Sequence, residues 1–141
     1  MKSLMRIYFS YIATALAIIA AFVVLQVVLL GIVTSKNHAR TLLSLDKFQL
    51  AGSFDVIVGF EDIDRPKPDP QGLNKAIAML GLSKEQVLYV GDSYVDARTA
   101  KAAGVDFVGV LTGTTTRAQM EEYPHLLIAD HLGQMTDWLG V

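Results

Sequence analysis

The chain has 141 residues, 52 % of them apolar and 18 % charged, and no cysteine. That length suffices for one domain with its own core, and the absence of cysteine excludes disulfide staples and a thiol nucleophile. Charge is segregated: residues 1–45 carry Lys2, Arg6, Lys36 and Arg40 without a single acid, whereas the remainder holds all 14 acids against eight bases, so the chain offers no uniform basic surface for nucleic acid.

From Ile7 to Leu30 the sequence is apolar except for Ser10, Thr14 and Gln26. At 1.5 Å rise per residue, about 20 such residues cross a bilayer core. Ala13 to Ala21 favours helix, and Tyr8, Phe9 and Tyr11 stand where an interfacial aromatic belt would lie. Residues 1–26 are therefore expected to form an apolar helix, a candidate transmembrane anchor for a cytoplasmic domain; a buried helix is the alternative. No small-x-small cleavage site follows it, which speaks against a signal peptide. Lys2 and Arg6 precede the run and Lys36, Arg40 and Lys47 follow it, so flanking charge sets no orientation.

From residue 27 to 141 the pattern changes to short apolar strands alternating with amphipathic helices. Val27 to Thr34 is a continuous apolar run, rich in β-branched residues, of the kind buried on both faces of a sheet. Helical spacing of Leu42, Leu45 and Leu50 marks a helix over His38 to Leu50, and Phe54 to Val58 reads as a second strand. Arg65 to Pro70 has prolines at alternate positions, so it must be extended or turning. A helix from Gln71 to Leu80 closes at Gly81, and a third strand spans Val87 to Val90. Val95 to Ala103 is a helix stopped by Gly104, and Phe107 to Leu111 a fourth strand. The tail adds a helix over Thr116 to Glu122, a strand at Leu126 to Ile128 and a helix over Leu132 to Leu139, with Leu132, Trp138 and Leu139 read as core. Strict alternation predicts an α/β fold, a three-layer Rossmann-like parallel sheet, whose ligands sit outside the carboxyl ends of the strands.

Three loops at those ends carry reactive side chains. Thr34 and Ser35 end the first strand, where a hydroxyl followed by helix-start amides suits a phosphate oxygen, although a plain helix cap has the same signature. Lys67 stands between Pro66 and Pro68, on a stiff stretch that reduces the entropy lost in presenting an ammonium to an anion; a solvated turn lysine is the alternative. In Val90-Gly91-Asp92-Ser93-Tyr94-Val95-Asp96, Gly91 allows a sharp turn, and Asp92 and Asp96 lie four apart, as two ligands for Mg²⁺ on one helix face would. An N-cap followed by a first-turn acid would look the same. His38, His125 and His131 match no metal spacing and read as surface or capping residues.

Taken in order, LGIVTSKNH (30–38), RPKPDP (65–70) and LYVGDSYVD (88–96) resemble the second, third and fourth motifs of the haloacid dehalogenase (HAD) superfamily, in its phosphoglycolate phosphatase and pyrophosphatase-like branch. AKAAGVDFVGV (100–110) and residues 124–139 are similar to the same branch, so the resemblance covers roughly 28–141. It implies Mg²⁺-dependent hydrolysis of a small phosphate ester through an aspartyl-phosphate. By motif position it implies that Thr34 and the Ser35 amide hold phosphate, that Lys67 neutralises it, and that Asp92 binds the metal with Asp96 as second ligand or partner. Gly91 and Ser93 support that loop.

The resemblance breaks at its start. The family's first motif, DxDxT, has no counterpart, since no aspartate precedes Asp46, and the cap segment that selects substrate has none either. In the family that first strand lies between the strands ending at Thr34 and Asp92. A partial core results, missing its first strand, with a gap to be closed by direct pairing, by the apolar segment or by another chain. Catalysis by this chain alone is accordingly not expected. The absence of a linker between the apolar run and the first strand favours a shortened, rearranged or mis-started gene; a membrane-anchored, non-catalytic module binding phosphate and Mg²⁺ is the rival reading. Oligomeric state is left open.

Overall fold

The computed structural model describes residues 28–140. The helix expected over 1–26 lies outside these residues; among them, no helix is long and apolar enough to cross a membrane. In chain order the elements are β1 (Gly31–Val33), α1 (His38–Lys47), β2 (Val56–Val58), α2 (Gln71–Leu80), β3 (Leu88–Gly91), α3 (Tyr94–Ala103), β4 (Asp106–Val110), α4 (Arg117–Glu121), β5 (Leu127–Ala129) and α5 (Leu132–Leu139). Each element expected after residue 27 is present, with ends shifted by a few residues. The largest changes are the shortening of the first strand to Gly31–Val33 and the end of α1 at Lys47, where the chain turns through Gln49 at φ 58°.

All strand pairs are parallel, as the alternation demands, yet the single sheet divides into two. β1 pairs with β2, and β3, β4 and β5 form a second sheet in that order. The break falls between β1 and β3, so the flanking strands do not pair directly.

Hydrogen-bond alternation shows what the two edges present. The Leu30 carbonyl accepts from Asp55 N at 2.8 Å, and Thr34 N donates to the Val58 carbonyl at 3.0 Å. Residues 30, 32 and 34 therefore turn their backbone groups to β2, and the alternating residues Gly31 and Val33 turn theirs away. In the second sheet Leu126 N donates to Phe107 O and Leu111 N to Ala129 O, both at 2.8 Å, which assigns Phe107, Gly109 and Leu111 to the β5 side and Val108 to β3. Val108 stands opposite Val90. In a parallel ladder it bonds the residues on either side of its opposite number, so Tyr89 and Gly91 face β4 while Leu88 and Val90 face away. Gly31, Val33, Leu88 and Val90 all line one cleft of about 500 Å³.

Two things hold the sheets in register across that cleft. Leu73 and Ile77 of α2 pack with Ala103 of α3, and Val33, Val87 and Tyr89 close around them. Beyond this link each sheet has its own core. Val56, Val58 and Ala76 form one, and Phe107, Met120, Ala97, Ala100 and Ile128 the other. Phe107 is 1 % exposed, a burial worth about 2–3 kcal/mol. The second tie is a lysine at the site described below.

The helix ends follow local chemistry. Asn37, Ser93 and Thr116 cap α1, α3 and α4 by accepting from the amide three residues on, and Gly81, Gly104 and Gly140 end α2, α3 and α5 in the left-handed conformation. The expectation that Leu132, Trp138 and Leu139 are core is corrected: they are 56 %, 47 % and 46 % exposed. Helix α5 is the final element and packs chiefly on β5, so its helical spacing is not matched by a second layer to bury it.

The alternation generates a test. Ile32→Pro deletes an amide used by β2, whereas Gly31→Pro deletes one that faces the cleft, where proline is tolerated. Measured by urea denaturation, with Ile32→Ala as the packing baseline, Ile32→Pro should cost at least ~2 kcal/mol more than Gly31→Pro. Equal costs would contradict the assignment of the edge.

Candidate active site

Lys67 is the hub. The Arg65–Pro70 segment turns tightly, with Asp69 N donating to Pro66 O at 3.0 Å and a cis peptide between Lys67 and Pro68. The Asp69 carboxylate pins the turn by accepting from Gln71 N at 2.9 Å and Arg65 Nε at 2.8 Å. From this base the Lys67 ammonium reaches into the cleft. It donates to Asp96 Oδ1 at 2.7 Å, the Val33 carbonyl at 3.3 Å and the Tyr89 hydroxyl at 3.3 Å. Its three protons thus join the end of β1 to β3 and α3.

Asp96 is held from every side. Ser93, the N-cap of α3, accepts from Asp96 N and donates its hydroxyl to Asp96 Oδ2 at 2.6 Å. Tyr89 donates to Asp96 Oδ1 at 3.1 Å. Burial raises the Asp96 pKa, but hydrogen bonds from Lys67, Ser93 and Tyr89 and the Lys67 charge outweigh it, leaving the carboxyl below its ordinary value. The phenol of Tyr89 moves the other way, pushed far above its usual range by burial and by the Asp96 charge. Gly91 is required by close approach: a Cβ there would lie 2.3 Å from Asp96 Cβ.

Asp92 has the opposite character. It is exposed, lines the cleft, and makes no hydrogen bond or ion pair among the described residues. The loop after β4 presses against it, since a Cβ on Gly113 would stand 2.6 Å from the Asp92 carbonyl oxygen and 3.1 Å from its Cγ.

This geometry separates the two residues of the expected metal pair. Asp92 precedes the Ser93 cap and lies outside the helix, so the one-turn spacing that would place it beside Asp96 does not apply. Both Asp96 oxygens are occupied by protein donors, and no group of three His, Asp or Glu side chains placed to hold a metal occurs among the described residues. Mg²⁺ commonly binds through one or two carboxylates, with waters and substrate phosphate completing its shell. Asp92, an unengaged carboxylate at the cleft, fits that donor set; Asp96 fits as the residue that fixes Lys67.

Thr34 and Ser35 adjoin the cleft through Val33 without lining it. The Thr34 hydroxyl accepts from Lys36 N at 3.1 Å, and the helix cap is Asn37, whose Oδ1 accepts from Arg40 N at 2.9 Å. The loop is fastened to the turn after β2. Phe60 N donates to Lys36 O at 3.0 Å, His38 N to Glu61 Oε1 at 2.8 Å, and His38 Nε2 pairs with Asp62 Oδ2 at 2.5 Å. Tyr89, the Val33 carbonyl, Gly113 and the His38–Asp62 pair all escape the sequence reading. Tyr89 looks like an ordinary strand aromatic, and only its hydroxyl distinguishes it from a core phenylalanine.

A parallel α/β architecture with a lysine and an unengaged carboxylate gathered at the strand ends defines the class as a Rossmann-like α/β protein. Residues 22–110 match the haloacid dehalogenase-like hydrolase family, and the chain belongs to that family. Over 112 residues it is 41 % identical to a phosphoglycolate phosphatase of Cereibacter sphaeroides, covering 78 % of this chain and 49 % of that protein. It is 35 % identical over 111 residues to the phosphoglycolate phosphatase of Rhodospirillum rubrum, covering 79 % and 46 %. Among solved structures, a haloacid dehalogenase-like hydrolase from Bacteroides fragilis superposes with a TM-score of 0.74 at 46 % identity, covering 76 % of this chain and 51 % of the other. A HAD-superfamily hydrolase of subfamily IA from Geobacter sulfurreducens gives 0.65 at 29 %, covering 79 % and 52 %. The chain spans about half the length of the curated relatives it matches.

Two outcomes follow. Asp96→Asn leaves the Lys67 ammonium buried without its counter-charge and should cost about 3 kcal/mol in urea denaturation near pH 7. Because the Asp96 pKa is lowered in the fold, its contribution is fully present above the ordinary aspartate value and is lost as pH falls through the folded value. The gap between wild type and Asp96→Asn should therefore narrow steadily below about pH 4; a gap independent of pH would refute the assignment. Separately, Gly91→Ala must displace Asp96 and should lower the melting temperature, whereas Gly81→Ala, with nothing near its Cβ, should cost only about 1 kcal/mol for its left-handed backbone.

Proposed function

We propose that this chain is the phosphate- and Mg²⁺-handling part of a phosphoric monoester hydrolase acting on a small phosphorylated substrate of the phosphoglycolate kind. The reading is carried by one observation: a lysine ammonium held at the joint of the two sheets, with an unengaged aspartate lining the same cleft of about 500 Å³. The phosphatase relatives support the reaction class.

Each residue has a part in this reading. Lys67 supplies fixed positive charge to a phosphate oxygen, and Asp96, Tyr89 and the Val33 carbonyl keep it aimed, so little rotamer entropy is lost on binding. Thr34 and the Ser35 amide take a further phosphate oxygen once the hydroxyl turns from Lys36. Asp92 holds Mg²⁺, and Ser93 and Gly91 keep the surrounding loop in place. Bound Mg²⁺ would offset the charge of the phosphate and polarise its oxygens. Of the two carboxylates lining the cleft, Asp96 is committed to Lys67 and Asp92 is assigned to the metal, which leaves neither to attack phosphorus. Binding without turnover is therefore the behaviour expected of this chain by itself.

Isothermal titration with inorganic phosphate, with and without Mg²⁺, tests the proposal. Binding should tighten with Mg²⁺, and Lys67→Ala should weaken it by about tenfold to a hundredfold, the worth of a fixed positive charge near the anion. Asp92→Asn should abolish the Mg²⁺ effect alone. Absence of phosphate binding in both conditions would sink the reading, and Mg²⁺-dependent hydrolysis of p-nitrophenyl phosphate would overturn the claim of binding without turnover.

A further inference from the structure

The loop that follows β1 is tied to the neighbouring strand and turn on both sides of Ser35. Thr34 N donates to the Val58 carbonyl at 3.0 Å, and the Lys36 carbonyl accepts from Phe60 N at 3.0 Å. Phe60–Asp62 is a single 3₁₀ turn, and both of its acids reach His38. Glu61 Oε1 accepts the His38 amide at 2.8 Å, and Asp62 Oδ2 meets the ring Nε2 at 2.5 Å. The ring lies so close to this turn that a Cβ on Gly59 would stand 2.7 Å from His38 Cδ2 and 3.1 Å from the Lys36 carbonyl oxygen. We propose that His38 is a positioning residue for the Thr34–Ser35 loop: its imidazolium, paired with Asp62, holds Ser35 and Lys36 in place, and the loop's hold on an anion weakens as the ring loses its proton. The inference rests on the phosphate-binding reading given above and adds to it a control by pH.

The groups around the ring make its protonated form the tighter one. Asp62 Oδ2 also accepts from Gly59 N at 2.8 Å, while Lys75 of α2 stands 3.6 Å from Asp62 Oδ1 and donates to the Asp62 carbonyl at 2.8 Å. Two acids from the turn thus face one lysine from α2, and a charged His38 brings the four groups to neutrality. On the ring's own loop and helix the nearest charged residues in sequence are Lys36 and Arg40, and neither makes an ion pair among the described residues. The Gly59 amide and then the His38 ring hold the Asp62 carboxyl below its ordinary value, and the His38 amide does the same for Glu61. Both acids therefore stay ionised between about pH 5 and 8, where a histidine changes charge. A neutral ring can still donate from Nε2, but a charge-assisted hydrogen bond is about twice as strong as a neutral one, so loss of the proton loosens the tie without releasing it. With side chains 40 % and 26 % exposed, His38 and Asp62 are partly screened by solvent, which keeps the effect modest.

Two measurements on the full chain test this. In NMR spectra recorded from about pH 5 to 8, the Ser35 and Lys36 amide shifts should follow the same midpoint as the His38 ring. Asp62→Asn should lower that midpoint, and His38→Gln, which keeps a side-chain donor without a titrating charge, should leave the two amides with no midpoint in this range. Sulfate, whose charge is constant over these pH values, serves as the anion probe in isothermal titration. Its Kd for the wild type should rise about twofold to fivefold across the range, as expected for a partly exposed ion pair, and the His38→Gln protein should show no such rise. Loop amides that ignore the titration of the ring overturn the proposal, as does a sulfate Kd with the same pH dependence in both proteins. Absence of sulfate binding at every pH overturns it through the phosphate reading instead, a case recognised by loop amides that still follow His38.

Discussion

Alongside the packing of α2 against α3, a single ammonium group ties the two halves of this domain together across the cleft. Lys67 donates to a carbonyl of one sheet and to a phenol and a carboxylate belonging to the other, so the same contacts that build the site also fix the distance between the two halves of the core. With side chains only 15 % and 9 % exposed, Lys67 and Asp96 form a largely buried ion pair. Such pairs give modest net stability but impose a heavy penalty when one partner is lost. Their value lies in position. Every polar atom of the Asp96 carboxylate has a named donor, which is the condition under which a buried polar network specifies one geometry rather than several.

That geometry separates two acids that look equivalent in sequence. Asp96 is an internal counter-ion to Lys67, and Asp92 makes no such contact among the described residues. The division arises from the helix cap between them. Ser93 starts α3 and draws Asp96 inward through reciprocal hydrogen bonds, while Asp92, one residue before the cap, stays at the strand end against the Gly113 loop. Placement of reactive groups at strand carboxyl ends is a property of the parallel architecture; which carboxylate remains unengaged is decided by three or four side chains around it.

Much of this was legible from the residues, for identifiable reasons. Alternating runs and glycine stops locate the strands and helices after residue 27, most sharply where punctuators flank them: Gly81 and Gly104 end helices in the left-handed region where other residues are strained. Lys67 between prolines and Asp92 after Gly91 were found because rigid backbone beside a charged side chain is a local signal. The roles within the cluster were not legible, because they are contacts between residues 7 to 34 positions apart. The i,i+4 spacing of Asp92 and Asp96 suggested a shared face, and only the location of the cap shows that the first of the pair is not helical. Trp138 was misplaced because helical periodicity marks a face without saying whether anything covers it.

Helix α1 is fastened unevenly. At its first turn Asn37 caps it, His38 pairs with Asp62, and Thr41 is buried; toward the other end Leu43 and Phe48 are 70 % and 69 % exposed. Its distal turns therefore have little tertiary contact to oppose fraying, and they should open far below the global unfolding free energy, as weakly packed segments do. The proximal anchor confines that opening. A helix that can melt from its tail while its head stays bolted leaves the Thr34–Ser35 loop undisturbed, so heat or denaturant would erode this layer of the domain well before the strand ends around Lys67 are affected.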